Sequence, residues 1–327
     1  MKIHEISRTL VAVLSIAAIL CATGVQAQDR FPARPVKIVV GSEAGSAPDI
    51  LARAISNEMA HVLGKSVIVE NKAGATGTIG ASAVVGSAPD GYTLLMGTVS
   101  NVALAPAFYP VKYDPVRSFT PIGMVASVPL VLVASSASGV QNFAQLTTKA
   151  RSANASLSYA SPGVGGPQHL AGVLLEKILD TQMLHVPFKS GGAAMTAVAA
   201  GEVPLAFAGI PAAAGLIKGQ KVTALFVTVP RRSSALPDVP TAAEAGVAGM
   251  HIDNWHALLA PAGVSSDVRQ ILESALQKAL LAPAVREQFL KVGAEPMPTS
   301  SRQLEDFVAS ESARWLKVVT DHKIKVE

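Results

Sequence analysis

Three stretches of small residues precede segments with helical spacing, and they offer one kind of chemistry. "GSEAGSAPD" spans 41–49, "SPGVGGPQH" 161–169 and "FKSGGAA" 188–194. Glycine lets a backbone approach a ligand closely. Free N–H groups at a helix start, with the helix dipole behind them, favour a carboxylate or phosphate. "NKAGATGTIGA" (71–81) adds a fourth stretch, and "GTVSN" (97–101) offers Thr98, Ser100 and Asn101 as neutral hydrogen-bonding groups. For any one stretch the alternative is that glycine serves only turn geometry or packing; several in one chain favour anion binding.

Catalytic templates are absent: the sequence has no Walker A loop, no G-x-S-x-G and no H-E-x-x-H. The seven histidines (His4, His61, His169, His185, His251, His256 and His322) show no metal-ligand spacing. His169 beside a glycine loop is placed to contact a ligand, and His256 beside Trp255 to line a cleft; packing is the simpler role for both. Asp49 reads either as an acid or, where a helix begins, as a capping group. No nucleophile, base and orienting group assemble from these residues. No metal and no cofactor are expected.

The elements that must position these loops alternate almost from the start. "VKIVV" (36–40) is a continuous apolar run, as in a strand covered on both faces. Leu51, Ala54, Ile55, Met59 and Val62 then follow helical spacing, with Gly64 as the stop. "SVIVEN", "TIGASAVVGSA" and "YTLLMG" continue as strand, helix, strand, which implies a parallel sheet. "IGMVASVPLVLVASS" is too long for one ordinary strand and is expected to run from one lobe into another. The alternation then repeats through "LSYA", "MLHVP", "VPLAFA" and "VTALFV", and "HIDNWHALLAP" reads as a second crossing strand. The C-terminal part is helical, with Ser266 as an expected N-cap. The fold class is therefore α/β, two lobes joined by crossing strands, with the strand-to-helix loops facing a cleft.

Residues 1–27 carry Lys2 and Arg8, then an apolar core, then Val25 and Ala27, the pattern of a secretory signal cut after Ala27. The single cysteine, Cys21, leaves with it, so no disulfide and no thiol chemistry is expected in the mature chain. The formal charge of +4 becomes +3 once Lys2, Arg8 and Glu5 are removed. Basic residues are scattered and only 5% of residues are aromatic, which argues against a nucleic-acid partner.

The segments "RPVKIVV", "VIVENKAGATGTIGA", "APDGYTLLMGT", "LSYASPGVGG", "HVPFK", "ALPDVPTAAEAG" and "LLAPAG" resemble the Bug-type substrate-binding receptors of tripartite tricarboxylate transporters, in the family's order over nearly the whole mature chain. The resemblance implies a type II periplasmic binding protein: lobe 1 from 28–127 with 252–327, lobe 2 from 128–251. It implies a monomer that holds a small organic acid or an amino-acid-like ligand and delivers it to membrane subunits. Alternatives are a sensing partner of a sensor kinase, or a secreted hydrolase using Ser161 or His169. Carried over by motif, Ala44, Gly45, Ser46 and Asp49 match the first ligand loop, and Thr98, Ser100 and Asn101 the hydrogen-bonding segment. Ser161, Gly163, Gly165 and His169 match the second-lobe loop, and Phe188 and Lys189 a Tyr-Lys pair. A family position that is often Asp, and that serves an amine in some members, is Ala208 here.

The first loop departs from the family's Pro-Phe-x-x-Gly-Gly: Gly41 and Ser42 replace Pro and Phe, Ser46 replaces the second Gly, and Glu43 enters. Like charges about 5 Å apart at an effective dielectric of about 20 repel by ~3 kcal/mol, so Glu43 does not simply face a ligand carboxylate. It turns to solvent, pairs with Lys189 across the cleft, or binds a cationic or amide group on the ligand in place of the acid missing at Ala208.

Overall fold

The computed structural model describes residues 31–108, 110–152 and 157–321. The leader expected over 1–27, and its cleavage after Ala27, lie outside them. Strands β1 (Val36–Val40), β2 (Val67–Asn71) and β3 (Thr93–Thr98) form a parallel set with β1 in the middle. Val36, Ile38 and Val40 are fully buried because the helices Ala47–Leu63 and Thr78–Val85 pack against β1. A second parallel set places β5 (Leu157–Ser161) between β6 (Met183–Pro187) and β7 (Leu205–Gly209). In each set a helix connects the parallel neighbours, as parallel pairing requires.

One strand belongs to both sets. In β4 (Phe119–Ser135), residues 119–129 pair antiparallel with β9 (Asp253–Pro261), while residues 130–135 pair with β7 and with β8 (Val222–Val227). β9 also pairs with β3, so the main path β2-β1-β3-β9-β4-β7-β5-β6 is a single mixed sheet. Two prolines in β4 are tolerated because each falls where the ladder is already interrupted. Pro121 sits at a register shift, and Pro129 ends the pairing with β9. β9 itself stays with the first set. The chain returns to it at Ile252, whose N–H donates to Thr228 O (3.1 Å) while Thr228 Oγ1 donates to Ile252 O (2.6 Å).

The C-terminal helices Ser266–Leu281, Pro283–Lys291 and Ser301–Asp321 complete the first half. The first of these is capped by Ser265, not Ser266: Ser265 is extended (φ −61°, ψ 152°) and its Oγ accepts from Val268 N, so Ser266 is already helical. Trp255 and Trp315 are fully buried, and both indole N–H groups donate to the buried Glu311 carboxylate (3.3 and 3.0 Å). Arg314 lies 3.0 Å from the same carboxylate, so the buried charge is paired as well as hydrogen-bonded. Among the described residues, no helix is long and apolar enough to cross a membrane.

Candidate functional site

A cavity of about 490 Å³ opens between the starts of the helices Ala47–Leu63 and Pro167–Leu179. Both helices begin with a proline in the first two positions, and neither N-cap (Ser46, Gly166) makes a side-chain cap hydrogen bond. The helices starting at 143, 191 and 266 each have one, from Asn142, Ser190 and Ser265. The first backbone N–H groups at the cavity therefore have no capping side chain as partner.

The first loop is a built structure. Asp49 Oδ2 accepts from Gly45 N (2.9 Å) and Oδ1 from Asn71 Nδ2 (2.9 Å), and Arg53 Nε approaches both oxygens (3.1 and 3.0 Å). Asn71 Nδ2 also donates to Ser42 O (3.0 Å), and Ser46 Oγ to Glu43 O (2.6 Å). Burial alone would raise the Asp49 pKa; hydrogen bonds from Arg53, Gly45 and Asn71 outweigh it and hold the carboxyl below its ordinary value. Asp49 thus ties the loop together from the third position of the helix. It is not the N-cap, and it does not line the cavity. Gly41 has a packing reason to be glycine: a Cβ there would lie 2.8 Å from both Cα and O of Gly77, so loops 41–48 and 73–77 meet backbone to backbone.

Of the residues singled out from the sequence, Glu43, Thr98, Ser100, Asn101 and His256 line the cavity. Thr98 and Asn101 are locked in a reciprocal capping box: Asn101 N donates to Thr98 Oγ1 (3.2 Å) and Thr98 N to Asn101 Oδ1 (2.8 Å). Ser100 keeps its hydroxyl free of protein partners among the described residues. Ala44, Gly45 and Ser46 shape the loop without reaching the wall, which Ser42, Ala47 and Pro48 form instead.

The loop 161–169 turns inward. Ser161 is fully buried, its Oγ 2.6 Å from His185 Nε2 and also donating to Gly163 O (2.9 Å). His169 Nδ1 accepts from Gly165 N (3.1 Å), and its ring packs with those of His185 and Tyr159 (centroids 4.3 and 6.5 Å). Burial, then the neighbouring His185, lowers the His169 pKa to about 4, so the ring is neutral. Gly166, Pro167 and Gln168 present this loop to the cavity. Phe188 N donates to Ser161 O (2.9 Å), Lys189 is exposed, and Ala208 is buried in β7; none of the three lines the cavity. No ion pair joins Glu43 to Lys189 or to any other described residue.

Asn254 and His256 on β9 complete the wall. Strand alternation in "DNWHA" carries the signal, since it puts both on the face opposite the buried Trp255. His256 is fully buried, and burial lowers its pKa to about 4, the Asn254 backbone acting weakly the other way. Its Nδ1 has no hydrogen-bond partner among the described residues. The site therefore offers uncapped helix starts and neutral hydrogen-bonding groups, which suits capture of an anion. Among the described residues, no cluster of His, Cys, Asp or Glu could hold a metal ion.

Comparison with known proteins gives a consistent picture. Residues 51–324 match the family model described as the tripartite tricarboxylate transporter family receptor. The chain is 31% identical to the protein BugT of Bordetella pertussis, over 96% of this chain and 98% of BugT. Among solved structures, MatC from Rhodopseudomonas palustris with bound malate is 33% identical, with a TM-score of 0.74 over 88% of this chain and 100% of MatC. A second R. palustris protein, solved with adipate, is 31% identical, with a TM-score of 0.77 over 90% and 99% of the two chains.

Proposed function

Because the chain belongs to the tripartite tricarboxylate transporter receptor family, we propose that its cavity captures a small carboxylate-bearing organic solute for delivery to the membrane subunits of a tripartite transporter. Receptors of this family are periplasmic solute-binding proteins. The observation that carries the proposal is the pair of uncapped helix starts at one cavity, with Ser100, Gln168 and Asn254 around them as polar side chains that have no hydrogen-bond partner among the described residues. Malate and adipate complexes of relatives support the ligand class. The mature protein is proposed to begin after Ala27, to act as a monomer and to release its ligand unchanged.

A thermal-shift screen against mono- and dicarboxylates, aromatic acids and amino acids tests this. A ligand at about a hundred times its dissociation constant adds ~2.7 kcal/mol to folded-state stability. The methyl ester or amide of a hit should bind much more weakly, because it lacks the charge that the helix starts favour. Equal shifts for acid and ester would remove the anion-site assignment. Mass spectrometry of the incubated ligand checks for turnover.

The two halves, 28–127 with 252–327 and 128–251, are proposed to close as rigid bodies on the ligand, the wall being drawn from both. Small-angle scattering should give a smaller radius of gyration with a verified ligand than without it. An unchanged radius argues against closure.

A further inference from the structure

Glu43 is the one residue with a formal charge among the described residues lining the cavity, and it is negative. The chain as a whole is basic, with a formal charge of +4, yet no lysine or arginine reaches this wall. Cations on the flanking segments are engaged elsewhere. Arg53 pairs with Asp49 (3.0 Å), and Lys37 and Lys72 both pair with Glu70 (2.8 and 3.3 Å). Glu43 is exposed, and no ion pair or side-chain hydrogen bond engages its carboxylate among the described residues. His256, the other titratable group on the wall, is neutral and supplies no compensating charge.

A plain carboxylate entering this cavity meets favourable helix starts and one uncompensated like charge. A like charge about 5 Å from a bound carboxylate, at an effective dielectric of about 20, would weaken binding by more than a hundredfold. The conflict disappears if the ligand brings its own cation. Glu43 lies three residues before the N-cap Ser46, on the same loop as the wall residues Ala47 and Pro48. A negative side chain and an anion-favouring helix start are therefore neighbours, which matches a ligand whose ammonium and carboxylate groups are close together.

We propose that Glu43 reads an amine on the ligand, so that the solute selected by this cavity is an amino acid or a closely related acid bearing a protonated nitrogen. The proposal rests on the carboxylate-receptor reading above and narrows it. Glu43 is a specificity-determining residue with no chemical step to perform.

Calorimetric titration of matched pairs tests it: L-glutamate against glutarate, L-aspartate against succinate, and the other common L-amino acids each against the acid lacking the amine. In the wild-type chain at least one amino acid should bind tenfold or more tighter than its deaminated partner, about 1.4 kcal/mol. E43Q keeps the shape and removes the charge; it should weaken that amino acid tenfold or more and leave the deaminated acid unchanged or improved. E43D keeps the charge and should keep the preference, with unchanged thermal midpoints showing that both variants fold. The proposal is overturned if the deaminated acids bind as well as or better than the amino acids, or if E43Q moves both partners alike. In either case binding of the plain acids leaves the receptor reading intact. If no carboxylate of either kind binds, the receptor reading fails and this inference with it.

Discussion

Gly172→Ala should lower folding stability by about 3 kcal/mol, at the upper end of what one extra methyl group in a packed core costs. Gly172 lies on the helix Pro167–Leu179, facing the ring of Tyr159. A Cβ there would sit 2.0 Å from Tyr159 Cε2 and 2.1 Å from Cζ. The ring has nowhere to go: Tyr159 is 1% exposed, stacks on His185 at 5.0 Å and donates its hydroxyl to His169 O (3.2 Å). Displacing it disturbs His169 and the helix start that presents Gln168 to the cavity, so ligand affinity should fall too. Urea denaturation measures the first effect and calorimetry the second. Tyr159→Ala should cost about 3–5 kcal/mol by itself, but the two costs should not add, because the vacated ring leaves room for the methyl group. Strictly additive costs would show that the clash is not with Tyr159.

Asp253 should make the protein less stable as the pH rises through the weakly acidic range. It is 8% exposed, at the start of β9 opposite Pro129, and burial raises its pKa to about 6. The hydrogen bond from Ser127 Oγ (2.6 Å) and the charge of Arg314 oppose the shift, while Glu311 and Glu295 add to it. A carboxyl with a raised pKa binds its proton more tightly in the folded state than in the unfolded one. Stability is therefore fully retained below about pH 4 and falls until about pH 6, by ~3 kcal/mol for a shift of this size. Asp253→Asn keeps an acceptor for Ser127 and removes the titration. The variant should gain on the wild type between about pH 4 and 6 and hold that advantage at neutral pH. Wild-type and variant stability curves that stay parallel across the range would refute this assignment. The comparison must be differential, because Asp49, whose pKa is depressed, contributes a slope of opposite sign at lower pH.

The strand–helix alternation was legible because apolar runs and helical spacing are local properties. β4 announced itself by length, as one strand long enough to serve both halves. The cavity was legible only in part. Glu43 reaches it from the loop after β1, and Thr98, Ser100 and Asn101 from the end of β3 and the helical segment that follows, the carboxyl ends of strands in the first parallel set. Asp49 and Ser161 are claimed instead by partners 22 and 24 residues away, Asn71 and His185, and no spacing rule encodes those contacts. His256 was expected beside Trp255 on a cleft wall and does line the cavity; Asn254, two residues before it on the same face of β9, was within reach of the alternation rule but lacked a chemistry of its own to mark it. Gly41 and Gly77 both line the cavity, and their backbone-to-backbone contact joins two stretches that no spacing rule connects.

The pairing of β3 with β9 joins Thr98 to His256 across the whole of the second parallel set. Closing so long a loop carries an entropic cost and slows folding. The second half is assembled from residues that follow one another, 130–227, and contains its own strand partners. The first half is split, and its sheet stays unfinished until residues beyond 252 arrive. Asn254 and His256 arrive with them, so the binding wall is incomplete until β9 is in place. For a chain synthesised from its N-terminus, β3 must wait with an unpaired edge until β9 has been made, and competence to bind ligand waits with it.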